Sequence, residues 1–195
     1  LFSLGFVALF VIGGLSGVTH AVVPSDWQQT DTYYIVAHFH YVLFGGAMFG
    51  LFAGIYYWFP KVFGRMLHEG LGKLHFWLFF VGGNLTFFPM HFVGLDGMPR
   101  RVYTYAENMG FGGINLLVTV GAFIVALSVA IFMIAVIKAL MEPQTAPADP
   151  WDGQTLEWGI PSPPPLHNFD RIPVVRSVRP LWDQKHPEFA EHGSP

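Results

Sequence analysis

The sequence has 195 residues, of which 52% are hydrophobic and 12% are charged. An ordinary soluble domain carries about 25% charged residues, and a soluble fold of this size could not bury so much apolar surface. The composition therefore indicates a membrane protein. The absence of cysteine excludes a disulfide framework, thiolate metal sites and a cysteine nucleophile. The net charge of -3, without a basic run, argues against nucleic acid as a partner.

Four apolar runs predict four transmembrane helices, over residues 1–19, 33–59, 74–94 and 114–140. A helix of about 20 residues crosses the hydrocarbon core of a bilayer. No alternation of period two indicates a β-barrel, so the fold class is predicted as an all-α transmembrane bundle. The first run begins at Leu1 and lacks the positive segment and cleavage site of a signal peptide. We therefore expect a C-terminal fragment that begins inside a membrane helix.

Lysine and arginine predict how the bundle is oriented. The connection 20–32 contains neither residue, whereas the connection 60–73 and the tail contain several. We therefore expect 60–73 and the tail to face the cytoplasm. Prolines disfavour regular helix from about residue 142 onward, which divides the chain into a membrane part, 1–141, and an extended, irregular cytoplasmic tail, 142–195.

Small residues recur along the second apolar run, where Gly46, Gly50 and Gly54 are spaced by four. Such spacing is typical of helices whose backbones approach closely. A second interpretation is clearance for a bulky planar ligand beside the helix.

The strongest functional signal is the His38-Phe39-His40 segment of the second run. Ionisable side chains inside a membrane span are costly, and two histidines in one span favour a metal-binding function. At 100° per residue, His38 and His40 point about 200° apart on a helix. They are therefore predicted to ligate two different centres on opposite sides of the helix. Neutral imidazole is the usual ligand of haem iron, so two haems could flank the helix.

Two adjacent arginines, Arg100 and Arg101, follow the third run on the face that should lack positive charge. They could be interfacial anchors. Alternatively, their guanidinium groups could bind haem propionates, because guanidinium matches a carboxylate in a bidentate fork. The start of the second run lies on the same predicted face, which agrees with the second interpretation.

Two acidic residues, Asp26 and Asp31, precede the second run. Asp31 could merely cap the following helix. The functional interpretation is a site for a proton or a hard cation near the propionates, because such cations prefer oxygen ligands.

The segments YYIVAHFHYVLF, FFPMHFVGLDGMPRR and LEW…PSPPPLHNF resemble the C-terminal third of subunit I of haem–copper oxygen reductases of the bacterial cytochrome c oxidase type. The resemblance covers nearly all of the chain and implies helices nine to twelve of a twelve-helix subunit. It implies that His38 is the catalytic axial ligand of the high-spin haem and that His40 ligates the low-spin haem. It also implies that Arg100 and Arg101 bind propionates and that Asp26 lies near a propionate of the high-spin haem.

The resemblance further implies two haems, of type A, and copper B with ligands outside this chain. Magnesium is in question, because Thr30 stands where the family usually has a histidine before the aspartate, and only Asp31 carries over. The implied partners are the rest of subunit I, subunit II with copper A, subunit III, cytochrome c and the lipid membrane. The implied location is the bacterial inner membrane, as a multi-pass protein that couples oxygen reduction to proton translocation.

Other functions stay open at this point. A nitric oxide reductase of the same superfamily would have iron in place of copper. A non-catalytic haem bundle would have two six-coordinate haems and would not bind carbon monoxide, and a transporter bundle would have no haem at all.

The remaining histidines receive plainer interpretations. His68 and His75 are interpreted as interfacial, and His91 as a packing residue. His20 receives no role.

Overall fold

The structure is a computed structural model that describes residues 1–143 and 145–190. A π-helical segment, Leu43–Met48, joins the third helix to the fourth. The described residues contain no strand, and an isolated antiparallel bridge joins Thr32 to Pro99. The helices are α1 (Phe2–Ala21), α2 (Val23–Gln29), α3 (Tyr33–Val42), α4 (Phe49–Phe63), α5 (Glu69–Leu95), α6 (Gly112–Met141), α7 (Pro180–Lys185) and α8 (Pro187–Ala190), with 3-10 turns at Glu107–Met109 and Leu156–Gly159.

Four helical stretches among the described residues are long and apolar enough to cross a membrane. They are α1, α5, α6 and the 31-residue stretch Tyr33–Phe63, which combines α3, the π-helical segment and α4. This confirms the predicted all-α bundle with four spans. Most of the described tail is irregular, as its prolines predict, and its regular parts are one 3-10 turn and the short helices α7 and α8.

The chain divides into two compact units. The first unit comprises Leu1–Ile55 with Glu69–Ala135, and the second comprises Tyr56–His68 with the chain from Val136 onward. In the first unit, α3 packs against both α1 and α5. The helix that carries the histidine pair is therefore flanked by helices on two sides.

The close approach of α1 to the second span depends on a glycine outside the four-residue repeat. A Cβ atom on Gly45 would lie 2.6 Å from the Cβ of Leu9. By contrast, the nearest atoms to a Cβ on Gly46 or Gly50 belong to the Phe6 ring, at 3.9 and 4.0 Å. Gly46 and Gly50 therefore make no tight contact with another helix among the described residues, and their role in helix packing stays a prediction.

His75 lies in an aromatic core of the first unit, and its exposed fraction is 0%. The interpretation of His75 as an interfacial residue is therefore wrong. The reason is that α5 begins at Glu69, so His75 lies more than one turn inside the helix. Its ring centroid lies 4.6–5.5 Å from those of Phe2, Phe52, Phe79 and Phe132.

The second unit is organised around a buried lysine, Lys61, whose exposed fraction is 7%. Its ammonium nitrogen donates hydrogen bonds to the carbonyl oxygens of Ile160 at 2.7 Å, Ala148 at 3.0 Å and Pro161 at 3.4 Å. The same nitrogen lies 5.1 Å from the ring centroid of Trp158. A charge can be buried only with partners of this kind, so these carbonyls hold the tail against the end of α4.

Candidate functional site

His38 is held by main-chain and side-chain groups of α1. Its Nδ1 lies 2.9 Å from the Gly13 carbonyl oxygen and 3.0 Å from Ser16 Oγ. A carbonyl oxygen only accepts hydrogen bonds, so Nδ1 is the protonated nitrogen and Nε2 carries the lone pair. A Cβ on Gly17 would lie 2.9 Å from His38 Cε1, so glycine leaves the space that the ring needs.

His40 has the same tautomer, but different neighbours fix its ring. Its Nδ1 donates to the Val36 carbonyl oxygen at 2.8 Å, which again leaves the lone pair on Nε2. Its ring stacks on Phe87 of α5, with centroids 4.4 Å apart and planes 11° apart. His38 therefore contacts α1 and His40 contacts α5, in agreement with the opposite directions that their spacing predicts.

The arginine motif after α5 is joined to the start of α3 by main-chain hydrogen bonds. The Arg100 amide donates to the Asp31 carbonyl oxygen at 2.8 Å, and the Tyr33 amide donates to the Met98 carbonyl oxygen at 2.9 Å. The rise from Tyr33 to His40 along a helix is about 10 Å. The structure thus places the arginine motif beside the start of the span Tyr33–Phe63, whose first ten residues carry the histidine pair, as the sequence predicts.

The two arginines differ in their surroundings. Arg100 Nε donates to Asp31 Oδ1 at 2.7 Å, and its Nη2 contacts the same oxygen. The side chains of Arg100 and Asp31 are 27% and 72% exposed, so water screens this ion pair. Arg101 is exposed, with a φ of 64°.

The residue that caps α3 is Thr32, whose side chain accepts a hydrogen bond from the Tyr34 amide at 3.1 Å. The alternative interpretation of Asp31 as the cap is therefore wrong. The carboxylate of Asp31 pairs instead with Arg100. Among the described residues, no group of three or more histidine or acidic side chains could hold a metal ion, so magnesium at Asp31 stays a prediction.

Asp26 contacts a residue that the sequence did not single out. His20 Nδ1 lies 3.1 Å from Asp26 Oδ1, and the His20 ring lies 5.1 Å from that of His38 and 5.3 Å from that of Tyr34. His91 packs on the same tyrosine, with ring centroids 5.0 Å apart. These rings form a partly buried cluster beside His38, to which α1, α3 and α5 each contribute.

The fold and the histidine pair define a membrane bundle in which two imidazoles of one helix face different neighbouring helices. A profile of the family described as "Cytochrome C and Quinol oxidase polypeptide I" matches residues 1–124, and the chain belongs to this family. This confirms the resemblance found from the motifs.

The chain is 50% identical over 186 residues to cytochrome c oxidase subunit 1 of Bacillus subtilis, covering 95% of this chain and 30% of that relative. It is 53% identical over 175 residues to cytochrome c oxidase subunit 1 of Thermostichus vulcanus, covering 90% of this chain and 31% of that relative. The chain therefore spans about 30% of the length of the curated relatives it matches.

A solved structure shares the fold. It is a chain of a heme-copper terminal oxidase dimer determined by cryo-EM, with a TM-score of 0.65 and 24% sequence identity. The match covers 74% of this chain and 27% of that chain. At this identity the likeness supports the all-α fold alone.

Proposed function

We propose that this chain is part of the catalytic subunit of a terminal oxidase, which reduces dioxygen to water with electrons from cytochrome c and couples this reaction to proton translocation. The observation that carries the proposal is the histidine pair on α3. Each ring has its Nδ1 hydrogen-bonded to a main-chain carbonyl, each keeps its Nε2 lone pair, and the rings contact different neighbouring helices. The names of the relatives from Bacillus subtilis and Thermostichus vulcanus support the same activity.

The residues present fit two haems. His38 would hold the iron of the high-spin haem and His40 the iron of the low-spin haem, each through Nε2. When bound, the haems and copper B supply oxygen binding and electron exchange. The space that Gly17 leaves beside the His38 ring supports this assignment, because a bulkier residue would displace the ring. Haem A is the proposed haem type.

The main chain sets the orientation and basicity of both ligands. The Gly13 carbonyl accepts the Nδ1 proton of His38, and the Val36 carbonyl accepts that of His40. Such a hydrogen bond fixes the tautomer and raises the basicity of the ligating nitrogen. In both rings Nδ1 is thus the donor to a main-chain carbonyl, and Nε2 is the nitrogen left to ligate haem iron.

The arginines and aspartates would serve the haem carboxylates. Arg100 contacts the Asp31 carboxylate through Nε and Nη2. The guanidinium has further N–H groups that would donate to a propionate. Exposed Arg101 would bind a propionate in the same way, and Asp26 would lie near a propionate of the high-spin haem. Asp31, next to Thr30, is the proposed magnesium ligand.

The proposed assembly extends beyond this chain. The rest of subunit I would supply the copper B ligands, subunit II would carry copper A, and subunit III would complete the complex. The four spans would cross the bacterial inner membrane, with residues 1–141 in its membrane part and 142–195 as a cytoplasmic tail. Lys61 and Arg65 lie on the side assigned to the cytoplasm.

The test uses the intact oxidase with single substitutions at the two histidines. His40→Ala should remove the low-spin haem band and leave carbon monoxide binding at the other haem, whereas His38→Ala should abolish carbon monoxide binding. His167→Ala is the matched control, because His167 lies in the tail with 62% of its side chain exposed. Loss of the same band in both α3 variants, or full retention of the low-spin band in His40→Ala, would refute the assignment.

A further inference from the structure

The helix that carries the histidine pair changes its winding directly after the pair. Residues Leu43–Met48 form a π-helical segment that begins three residues beyond His40. A π turn inserts an extra residue and rotates the side chains that follow by about 100°. Such segments are rare and occur often at functional sites, and this one directly follows the histidine pair.

The segment places Phe44 against α5. The Phe44 ring stacks on Phe79 with centroids 4.5 Å apart, and it meets Phe87 edge-on at 5.2 Å. A Cβ on Gly83 would lie 2.5 Å from Phe44 Cε1, so the ring fits only because residue 83 is glycine. Phe44 is therefore fixed on several sides, and it in turn limits the movement of Phe87.

Phe87 lies face to face with His40, with centroids 4.4 Å apart and planes 11° apart. The hydrogen bond from His40 Nδ1 to the Val36 carbonyl oxygen fixes one edge of the imidazole. This hydrogen bond only weakly restricts rotation of the ring about the N–H···O direction. The stack on Phe87 restricts the remaining freedom, which is the tilt of the ring plane. The hydrogen bond occupies Nδ1, so Nε2 is the ring nitrogen that is left to bind iron.

We propose that Phe87, held in place by Phe44 from the π-helical segment, is a positioning residue that sets the plane of the His40 imidazole. The inference rests on the proposed function, in which His40 ligates the low-spin haem. The orientation of an axial ligand is one of the means by which a protein tunes haem iron. Removing the stack should therefore alter the electronic structure of that haem while the ligand itself is kept.

The experiment measures the electron paramagnetic resonance spectrum of the ferric low-spin haem in the intact oxidase. Phe87→Leu should shift the largest g value by more than the linewidth, or broaden it, because the imidazole plane is no longer fixed. Phe87→Tyr keeps an aromatic face and should restore the wild-type value. Phe92→Leu is the control, because Phe92 is on the same helix and 51% exposed.

Gly83→Ala gives an independent test, since the added methyl group must displace Phe44 without touching His40. We expect a g shift in Gly83→Ala of the same sign as in Phe87→Leu, with carbon monoxide binding unchanged. If Phe87→Leu loses the low-spin haem altogether, the g values of Gly83→Ala test the proposal in its place. Wild-type g values in Gly83→Ala, or in a haem-replete Phe87→Leu, would overturn the proposal. A His40→Ala variant that keeps the low-spin signal would instead refute the proposed function.

Discussion

The buried ammonium of Lys61 allows a sharp test of how the tail is held. Lys61→Met removes the charge and the three hydrogen-bond donors but keeps an unbranched side chain of similar volume. We expect the segment that follows α6 to open more often, because the carbonyl oxygen of Ile160 lies 2.7 Å from the Lys61 nitrogen and loses its donor. Ile160 is itself only 9% exposed.

The structure sets the size of the effect. A buried acceptor left without a donor costs about 1–3 kcal/mol, and the lost cation–π contact with Trp158 adds about 0.5–1 kcal/mol. The methionine side chain offsets part of this free-energy cost, because burying methionine does not require the desolvation of a charge. The net change is about 2 kcal/mol in the free energy of opening, which corresponds to ~30-fold in the opening equilibrium.

Hydrogen exchange of the intact protein measures this opening at amides of the second unit. The Leu181 amide, which donates to the Gln154 carbonyl oxygen at 3.0 Å, and the Trp158 amide are the reporters. Both should exchange ~30-fold faster in Lys61→Met. Lys138→Met is the control, because Lys138 is an exposed lysine of α6. Equal exchange in Lys61→Met and wild type would refute the role of Lys61.

Two further predictions concern charged groups. Arg100→Lys keeps the charge but loses the planar fork, so the low-spin haem potential should fall by tens of millivolts, with about 40–130 mV as the upper range; an unchanged redox titration would identify Arg100 as an interfacial anchor. In the tail, burial alone would raise the pKa of Asp149, but hydrogen bonds from the Gly153 amide and Lys185 lower it overall, and hydrogen bonds to Asp149 and Asp152 raise the pKa of Lys185. The Asp149 carboxylate stabilises the folded tail above about pH 4, and this stabilisation is lost on acidification. The Lys185 ammonium stabilises the folded tail below about pH 10, and this stabilisation is lost as the pH rises. The protection of the tail amides from hydrogen exchange, corrected for intrinsic exchange rates, should therefore be constant between about pH 5 and 9 and decrease outside this window. A change in this protection near pH 7 would contradict the prediction.

The sequence predicted the features that depend on local periodicity. A run of apolar residues needs no tertiary partner to indicate a span, and the four runs became helices of membrane length. The divergence of His38 and His40 also follows from helix geometry alone, because two residues of helix turn by about 200°. The GMPRR motif was placed near the pair because both lie at the same end of neighbouring spans.

The features that depend on helix packing were missed. His20 lies 18 residues before His38 in the sequence, and only the crossing of α1 and α3 brings their rings to 5.1 Å. Nothing in an unbroken apolar run signals the π-helical segment, although the adjacent Gly45 and Gly46 relax the backbone there. His75 was misplaced for a related reason, because nearness to a polar loop in sequence says little about depth in the bundle.

The two histidines differ in what holds them, and this difference bears on how the site is controlled. His40 donates to Val36 of its own helix, so its hydrogen bond forms whenever α3 forms. His38 donates to Gly13 of α1, so its orientation exists only when α1 and α3 are packed together. The plane of His40 depends on α5 instead, through Phe87. In the proposed oxidase, the packing of α1 would therefore act on the oxygen-binding haem and the packing of α5 on the low-spin haem, so the two centres could be tuned separately although their ligands are two residues apart.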